Sequence, residues 1–478
     1  MDKVVATLRT VGVLLGIWVV LAAVGIAMGA IPMDFASLLS GGGTTAEPET
    51  DRADAGAGEP DASAEVADAS AAEDAGVAEV AVPDAPPAAG PSEDGTGTRF
   101  SVCASSAAEP SLAVGELFGG GTPEIVVGCP DGWHVIAIDG RGPMRIARFA
   151  LGAAPNGQRA RTGPVGFGDV DGDAHPDLGL PLSYEAESGA TRGGALFWIA
   201  TSPFGGIREP VTLAPIAAHA VALGAVDSQA GEEVVALNRA NALAQLASEA
   251  WVFGGGAAPV RTQALPLGVG ALDVAITDLD RDRKADVIGL SPGRIDLFFG
   301  DGAGAFPRNH TMQLEGAREI ALADLDEDGG VDLAVLGNGI QWIRAGGLEG
   351  MEPRGLDGVP ANLRGLQAVD VNADRHVDLA GWDHPRLFVM RWRAEVAFDP
   401  VVGVSLVGGD FGPRRQRLAD LDGDGAADDL VLLGTAGEGE PLEILLLRDA
   451  LDPAEVTPPP EPRDLPDAPL MLRATLAP

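Results

Sequence analysis

The sequence predicts an all-β protein, a seven-bladed β-propeller set behind one apolar N-terminal helix and an acidic linker. Three features point there: a motif recurring at intervals of 46 to 56 residues, strand-length apolar runs between Gly, Pro and Asp turns, and no amphipathic helical window of respectable length.

Residues 1–10 carry Lys3 and Arg9 ahead of an uncharged run from Val11 to Ile31, 21 residues long. As a helix that run crosses about 30 Å of hydrocarbon. Basic residues before it and acids after it orient it with a short cytoplasmic N-terminus and the remainder outside. Residues 11–32 therefore read as a transmembrane signal anchor, giving a single-pass membrane protein whose C-terminal domain is periplasmic or extracellular. The alternative is cleavage among the small residues Ala27 to Ala30, which would release a secreted chain. No cysteine follows the run to carry a lipid anchor.

Residues 33–98 change character. Between Gly41 and Thr98 there are 14 acids and one base among Ala, Gly and Pro. Such a segment buries too little apolar surface to offset its ordering entropy, and it reads as a disordered, self-repelling tether.

The repeats fill residues 99–450. They read "GDVDGDAHPDLGL" from Gly168, "TDLDRDRKADVIGL" from Thr277, "ADLDEDGGVDLAVL" from Ala323, "VDVNADRHVDLAGW" from Val369 and "ADLDGDGAADDLVLL" from Ala419, with weaker copies from Gly115 and Gly224. The last acids of the seven copies are Glu124, Asp177, Glu233, Asp286, Asp332, Asp378 and Asp428. About four strands fit each period: "LDVAIT", "DVIGL", "RIDLFFG" and "HTMQLE" in the copy that starts near Ala271. Four antiparallel strands taken seven times make a closed ring, which removes the exposed edges of a lone blade. The last copy supplies only three strands before prolines intervene. "TRFSVCAS", Thr98 to Ser105, has no blade of its own and is expected to complete it, with "LMLRATL", Leu470 to Leu476, in the Pro-rich C-terminal tail of 451–478 as the rival. Cys103 and Cys129 are the chain's two cysteines, a pair able to bridge in an oxidising compartment.

The acidic loops explain themselves chemically. In the last copy Asp420, Asp422, Asp424 and Asp428 stand close together, where like charges repel unless a cation sits among them. Carboxylates on alternate residues of a tight loop, with the backbone carbonyl of Ala426, form a hard oxygen set suited to Ca²⁺. Position 12, where an EF-hand needs an acid, is Leu180, Gly289, Val335, Gly381 and Val431 in the five copies.

This pattern resembles the FG-GAP or VCBS repeats of the integrin α-subunit propeller. The resemblance implies about five Ca²⁺ ions, each on a loop joining the first and second strands of a blade, with partners on the opposite, upper face. Carried over, it implies ligands at Asp169, Asp171, Asp173 and Asp177; Asp278, Asp280, Asp282 and Asp286; Asp324, Asp326, Asp328 and Asp332; and Asp370, Asn372, Asp374 and Asp378. The backbone carbonyls of His175, Lys284, Gly330 and His376 fill the seventh position. The copies at Glu116 to Glu124 and Ala225 to Glu233 lack the ligands and are expected to hold no ion.

Composition narrows the function. Lys plus Arg number 32 against 70 Asp plus Glu, a formal net charge of −38, which argues against nucleic acid as a partner. No nucleophile elbow, phosphate-cradling loop or HExxH stands in the chain. The expected function is a non-enzymatic, membrane-anchored, calcium-binding module for an extracytoplasmic protein or glycan. The alternative is a propeller-based hydrolase or lyase acting on an extracellular polymer. Leu182 to Gly194, with Tyr184 and Arg192, is expected to be an upper-face contact loop.

Overall fold

The computed structural model describes residues 97–476, apart from 105–108, 140–141, 203–205, 240–244, 347–350, 357, 394–396, 407–410, 438–439, 452–454 and 457–462. The expected transmembrane helix and nearly all of the expected linker lie outside the described residues. Among the described residues no helix is long and apolar enough to cross a membrane.

Seven sheets form the ring. Blade 4 shows the plan: Asp273–Thr277, Asp286–Ser291, Arg294–Phe299 and Arg308–Gln313 pair antiparallel in sequence order. Its second and third strands join through Pro292 and Gly293, with Gly293 at φ 73°, a left-handed turn position that glycine adopts without strain. The first strands of successive blades face one another around the axis, and that of blade 7, Gly412–Ala419, meets that of blade 1, Ser111–Gly115. The second and third strands lie between neighbouring sheets. Asp332–Gly337 and Leu442–Leu447 are buried at every position, which is why they read as continuous apolar runs instead of alternating ones.

In blade 2 the innermost strand is split into Arg159–Thr162 and Gly166–Gly168, both paired with Asp177–Glu185. The break reflects a close approach by blade 3: a Cβ on Gly163 would lie 2.0 Å from the carbonyl oxygen of His219. The loop expected over Leu182 to Gly194 is mostly strand. Tyr184 belongs to Asp177–Glu185 and is buried in the apolar cluster shared with Trp133 and Phe197, so it cannot serve as an exposed contact. The apolar alternation of the longer strand carries its side chain inward.

Thr98–Cys103 closes the ring as the outer strand of blade 7, pairing with Leu442–Leu447 through Phe100↔Ile444 and Ser101↔Glu443. Beside it Arg99 Nε donates to Glu443 Oε2 at 2.6 Å, and both side chains are buried. The Arg99 guanidinium also lies over the Phe411 ring. The Cys103–Cys129 disulfide then ties this strand to Glu124–Cys129, the second strand of blade 1, so the bond spans the boundary where the ring closes.

The C-terminal residues add edge strands to three blades. Glu455–Val456 pairs parallel with Ala397–Leu406 of blade 6, and Arg463–Asp464 pairs parallel with the closing strand. Asp467–Leu476 pairs parallel with Gly142–Leu151 of blade 1. The rival closing segment thus lies on the edge of blade 1, where Leu472 and Leu476 enter the core.

Breaking this closure should be measurable. Cys103→Ser is expected to destabilise the chain by about 2–4 kcal/mol, and deletion of residues 98–103, which also removes Phe100 and Val102 from the core, by more. Urea unfolding under non-reducing conditions checks both, and a Cys103→Ser midpoint equal to wild type would show that the cysteines are not bonded.

Candidate metal centres

Each acidic loop is organised by its first aspartate, counted here as position 1 at the end of the blade's first strand. Asp169 accepts N–H bonds from Gly172, Asp173 and Ala174 at 2.7 to 2.9 Å. Asp278, Asp324, Asp370 and Asp420 do the same for their own loops. The fifth residue caps the seventh, as Asp173 accepts from His175 N–H at 3.0 Å and Asp424 from Ala426 N–H at 2.8 Å. Positions 4 and 6 are left-handed throughout. Gly172, Gly423, Gly329 and Gly425 take that conformation freely, whereas Ala174, Arg281, Arg283, Glu327, Ala373 and Arg375 hold it at φ between 56° and 71°. Side-chain bonding to the loop N–H groups offsets the cost of about 1–2 kcal/mol for each such non-glycine residue.

Position 9 is buried and starts the second strand. Asp177 Oδ2 accepts from Val170 N–H, Asp171 N–H and Trp198 Nε1–H, while its Oδ1 accepts from Thr201 N–H. Asp286 and Asp332 repeat this arrangement with Leu279 and Gly300, and with Leu325, Trp342 and Ala345. Glu124 and Glu233 hold Leu117 and Val226 in the same way although their loops lack the other acids. An acid at position 9 therefore pins the turn with or without a cation.

In blade 7 the sequence expectation is off by one. Asp429, not Asp428, pairs with Ala419 and accepts from Leu421 N–H at 2.9 Å. One extra loop residue shifts the register, so the buried pin is the second of two adjacent acids. Asp428 is left among anions, and burial together with Asp429, Asp424 and Asp449 raises its carboxyl to about 7.

Position 3 carries the distinctive geometry. The side chains of Asp171, Asp280 and Asp326 are 6, 8 and 7% exposed. In each, Oδ2 faces an arginine from the connection between the third and fourth strands or the start of the fourth: Arg208 at 3.3 Å, Arg308 at 2.6 Å and Arg344 at 2.5 Å. In each, Oδ1 is buried and has no hydrogen-bond partner, and Asp173 Oδ2 is likewise buried without one. Burial comes first among the causes that raise the carboxyls of Asp171, Asp326 and Asp422 above their ordinary range.

Carboxylate oxygens converge within 4.8 Å in four loops. The sets are Asp169, Asp171 and Asp177; Asp278, Asp280 and Asp282; Asp324, Asp326 and Asp332; and Asp420, Asp422 and Asp424. In blade 6, Asn372 replaces the acid at position 3 and donates from Nδ2 to Asp374 Oδ2 at 2.9 Å. Neighbouring loops are also joined: Arg281 binds Asp328 of the next blade, and His376 Nδ1 meets Glu327 Oε1. Lys284 Nζ sits 3.0 Å from Asp282 Oδ2.

The channel holds charged residues that no local motif announces. Half-buried Asp273, Glu319 and Arg417 come from the first strands of blades 4, 5 and 7 and act on one another electrostatically. Burial raises the Asp273 carboxyl to about 6, with Arg417 opposing the rise.

Residues 254–335, from the end of the third strand of blade 3 to the second strand of blade 5, match the FG-GAP-like repeat family. No curated protein matches the chain. Among solved structures, BBS1N in complex with ARL6DN is 12% identical, with 74% of this chain and 97% of that chain covered and a TM-score of 0.45. A lectin from Agrocybe aegerita that recognises non-reducing terminal N-acetylglucosamine is 13% identical over 70% and 93% of the two chains, with a TM-score of 0.43. The Dos1 propeller is 10% identical over 75% and 81%, with a TM-score of 0.40. Identities this low assign no activity to this chain.

Glu124, outside the five acid-rich loops, gives a pH test of the pinning role. Burial raises its carboxyl from the ordinary 4.5 to about 8, against the bond from Leu117 N–H. A carboxyl raised on folding contributes stability that is complete below its unfolded pKa and is lost as pH climbs through the folded value. Wild type should therefore lose stability between about pH 4.5 and 8, and Glu124→Gln should flatten that part of the profile. Melting curves across this range check it, and a variant as steep as wild type would move the effect to another group.

Proposed function

Taking the chain as an FG-GAP-repeat β-propeller, we propose that it works outside the cytoplasm as a calcium-loaded, non-enzymatic module that binds a protein or a glycan, held to the membrane by the helix at Val11 to Ile31. The calcium reading rests on the position 3 carboxylates, whose outer oxygen faces an arginine while the inner one is buried in the loop without a donor. A buried anionic oxygen without a partner is costly. A hard cation met by several carboxylate oxygens relieves it, and the absence of thiolate or imidazole donors disfavours softer metals.

The residues that would hold the ions are the acids at positions 1, 3 and 5 of blades 2, 4, 5 and 7, with Asn372 in place of an acid in blade 6. Position 7 carbonyls would complete each set, and the pinning acids would contribute from behind. Bound calcium would supply charge compensation in these loops. The chain's own residues already fix the turn, cap the loop amides and orient the inner oxygens. Four antiparallel strands per blade then give a stiff platform whose upper face is left for a partner.

The hydrolase or lyase reading keeps one supporting observation, the channel cluster of Asp273, Glu319 and Arg417. An Asp273→Asn change that abolished a depolymerising activity of the purified chain would favour it over the binding module.

Calcium should raise the melting temperature in a saturable way. A site filled to ten times its dissociation constant adds about 1.4 kcal/mol, so five sites shift the curve by many degrees. Asp280→Ala with Asp326→Ala, which remove the position 3 oxygen that Asn372 still supplies in blade 6, should lower the calcium stoichiometry by two ions. Calorimetric titration after chelation checks both, and a melting curve indifferent to chelator and to millimolar calcium would end the calcium reading. Capture of an envelope partner with and without calcium tests the binding role.

A further inference from the structure

The face opposite the acidic loops carries a cluster of unlike design at the mouth of the channel. The starts of the first strands and the turns between second and third strands lie there. Arg161 stands on the split inner strand of blade 2, His219 near the start of Ala218–Gly224, and Arg239 directly after Glu233–Asn238. Glu109 precedes the inner strand of blade 1, and Arg415 belongs to that of blade 7.

The carboxylates are already shared. Arg161 donates from Nη1 to Glu185 Oε1 at 3.1 Å and from Nη2 to Glu109 Oε2 at 2.8 Å, and Arg415 Nη2 lies 3.3 Å from the same Glu109 oxygen. Three guanidiniums therefore meet two carboxylates. Arg239 lies in the field of Glu185 and Glu109 but makes its bond elsewhere. Its Nη1 donates to His219, 3.1 Å from Nε2, and among the described residues no carboxylate pairs with it. Its Nε–H is buried and finds no acceptor. His219 is itself buried, and burial with Arg161 and Arg239 beside it keeps the imidazole neutral, an acceptor and not an anion.

A half-buried guanidinium with a neutral partner is anomalous in a chain with 70 acids and 32 bases, where a compensating carboxylate costs one substitution. The edge of an arginine that carries Nε–H is also the edge that grips a carboxylate with two parallel bonds. Here the Nη1 corner is anchored on His219, while among the described residues no hydrogen bond uses the Nε–Nη2 edge.

We propose that this mouth is a carboxylate-binding site, with Arg239 as the anchoring fork, His219 holding it in place and Arg161 adding field. One surplus positive charge suits a monoanion better than a phosphate dianion. The inference rests on the reading of the propeller as a binding module and names the chemical group that module would recognise.

The probes are sodium acetate, sodium glucuronate, glucose and inorganic phosphate, titrated into the full chain at constant ionic strength and followed by calorimetry. Glucuronate and acetate should bind, phosphate more weakly and glucose not at all. Glucuronate tighter than acetate would assign the carboxylate to an acidic saccharide, and equal binding would assign it to a free acid group. Arg239→Gln should weaken carboxylate binding about tenfold to a hundredfold, as expected for loss of a charge-assisted fork. Arg239→Lys keeps the charge without the fork and should also lose at least about tenfold, so the site stays testable if the glutamine variant folds poorly. Carboxylate affinity unchanged in the lysine variant, or no carboxylate binding by wild type, overturns the site. If wild type ignores all four probes but still captures an envelope partner, the site fails and the binding-module reading stands.

Discussion

A carboxylate buried at the start of the second strand holds the turn in six of the blades from which the propeller is built. Asp177, Asp286 and Asp332 accept N–H groups both from the loop before them and from the exit of the third strand, so one side chain fastens three strands of a sheet. Glu124 and Glu233 hold their loops without the acidic cluster, which separates the two tasks. The pin shapes the hairpin, and the acids at positions 1, 3 and 5 are added to a turn that is already made. Desolvating a carboxylate for this purpose is offset only when its oxygens are met by donors, and the backbone amides of a tight left-handed loop supply them at the required density.

Ring closure is the second demand, and the chain meets it from both ends. The N-terminal strand of the domain completes the last blade, a buried Arg99–Glu443 pair lies beside it, and a disulfide joins it to blade 1. Removing one partner of a buried ion pair is strongly destabilising because the other charge stays desolvated, so this pair favours one register of the closing strand over a slipped one. The C-terminal segments then cover the outer edges of blades 6, 7 and 1, which would otherwise present unpaired backbone groups. Closing strand, disulfide and edge strands all concentrate at the seam where a ring of independent blades is weakest.

Most of the ring was legible in the sequence because its signal is repeated. Asp-rich loops at a steady period, each followed at once by an apolar run, fixed blade number and strand order, and the unassigned segment at Thr98 to Ser105 pointed to the closing strand. What escaped had no local signal. Asp428 and Asp429 are chemically identical neighbours, and only the pairing of Ala419 with Asp429 tells the pin from its companion. Tyr184 looked like a loop aromatic because the strand beneath it runs further than its turn residues suggest. Two edge strands of the C-terminus are only two residues long, and the third, whose strand character Leu470 to Leu476 did signal, pairs parallel with blade 1, a placement that neither alternation nor hairpin spacing marks. The clusters around Asp273 and around Arg239 draw on blades far apart in sequence, and only closure of the ring brings them together.

The two faces of the ring differ in charge and are far enough apart to act separately. A strand of five to seven residues spans about 17–23 Å, two or more times the Debye length of about 8 Å at physiological ionic strength. A cation among the lower acids therefore changes the field at the Arg239 mouth very little through solvent. Any coupling would have to pass through the strands, and members such as the second strand of blade 5 and the third of blade 7 are buried at every position, which leaves little room for a second arrangement. Such a structure transmits stiffness more readily than a signal. Loading of the loops should then govern how firmly the platform is held, while the chemistry at the mouth governs what it holds.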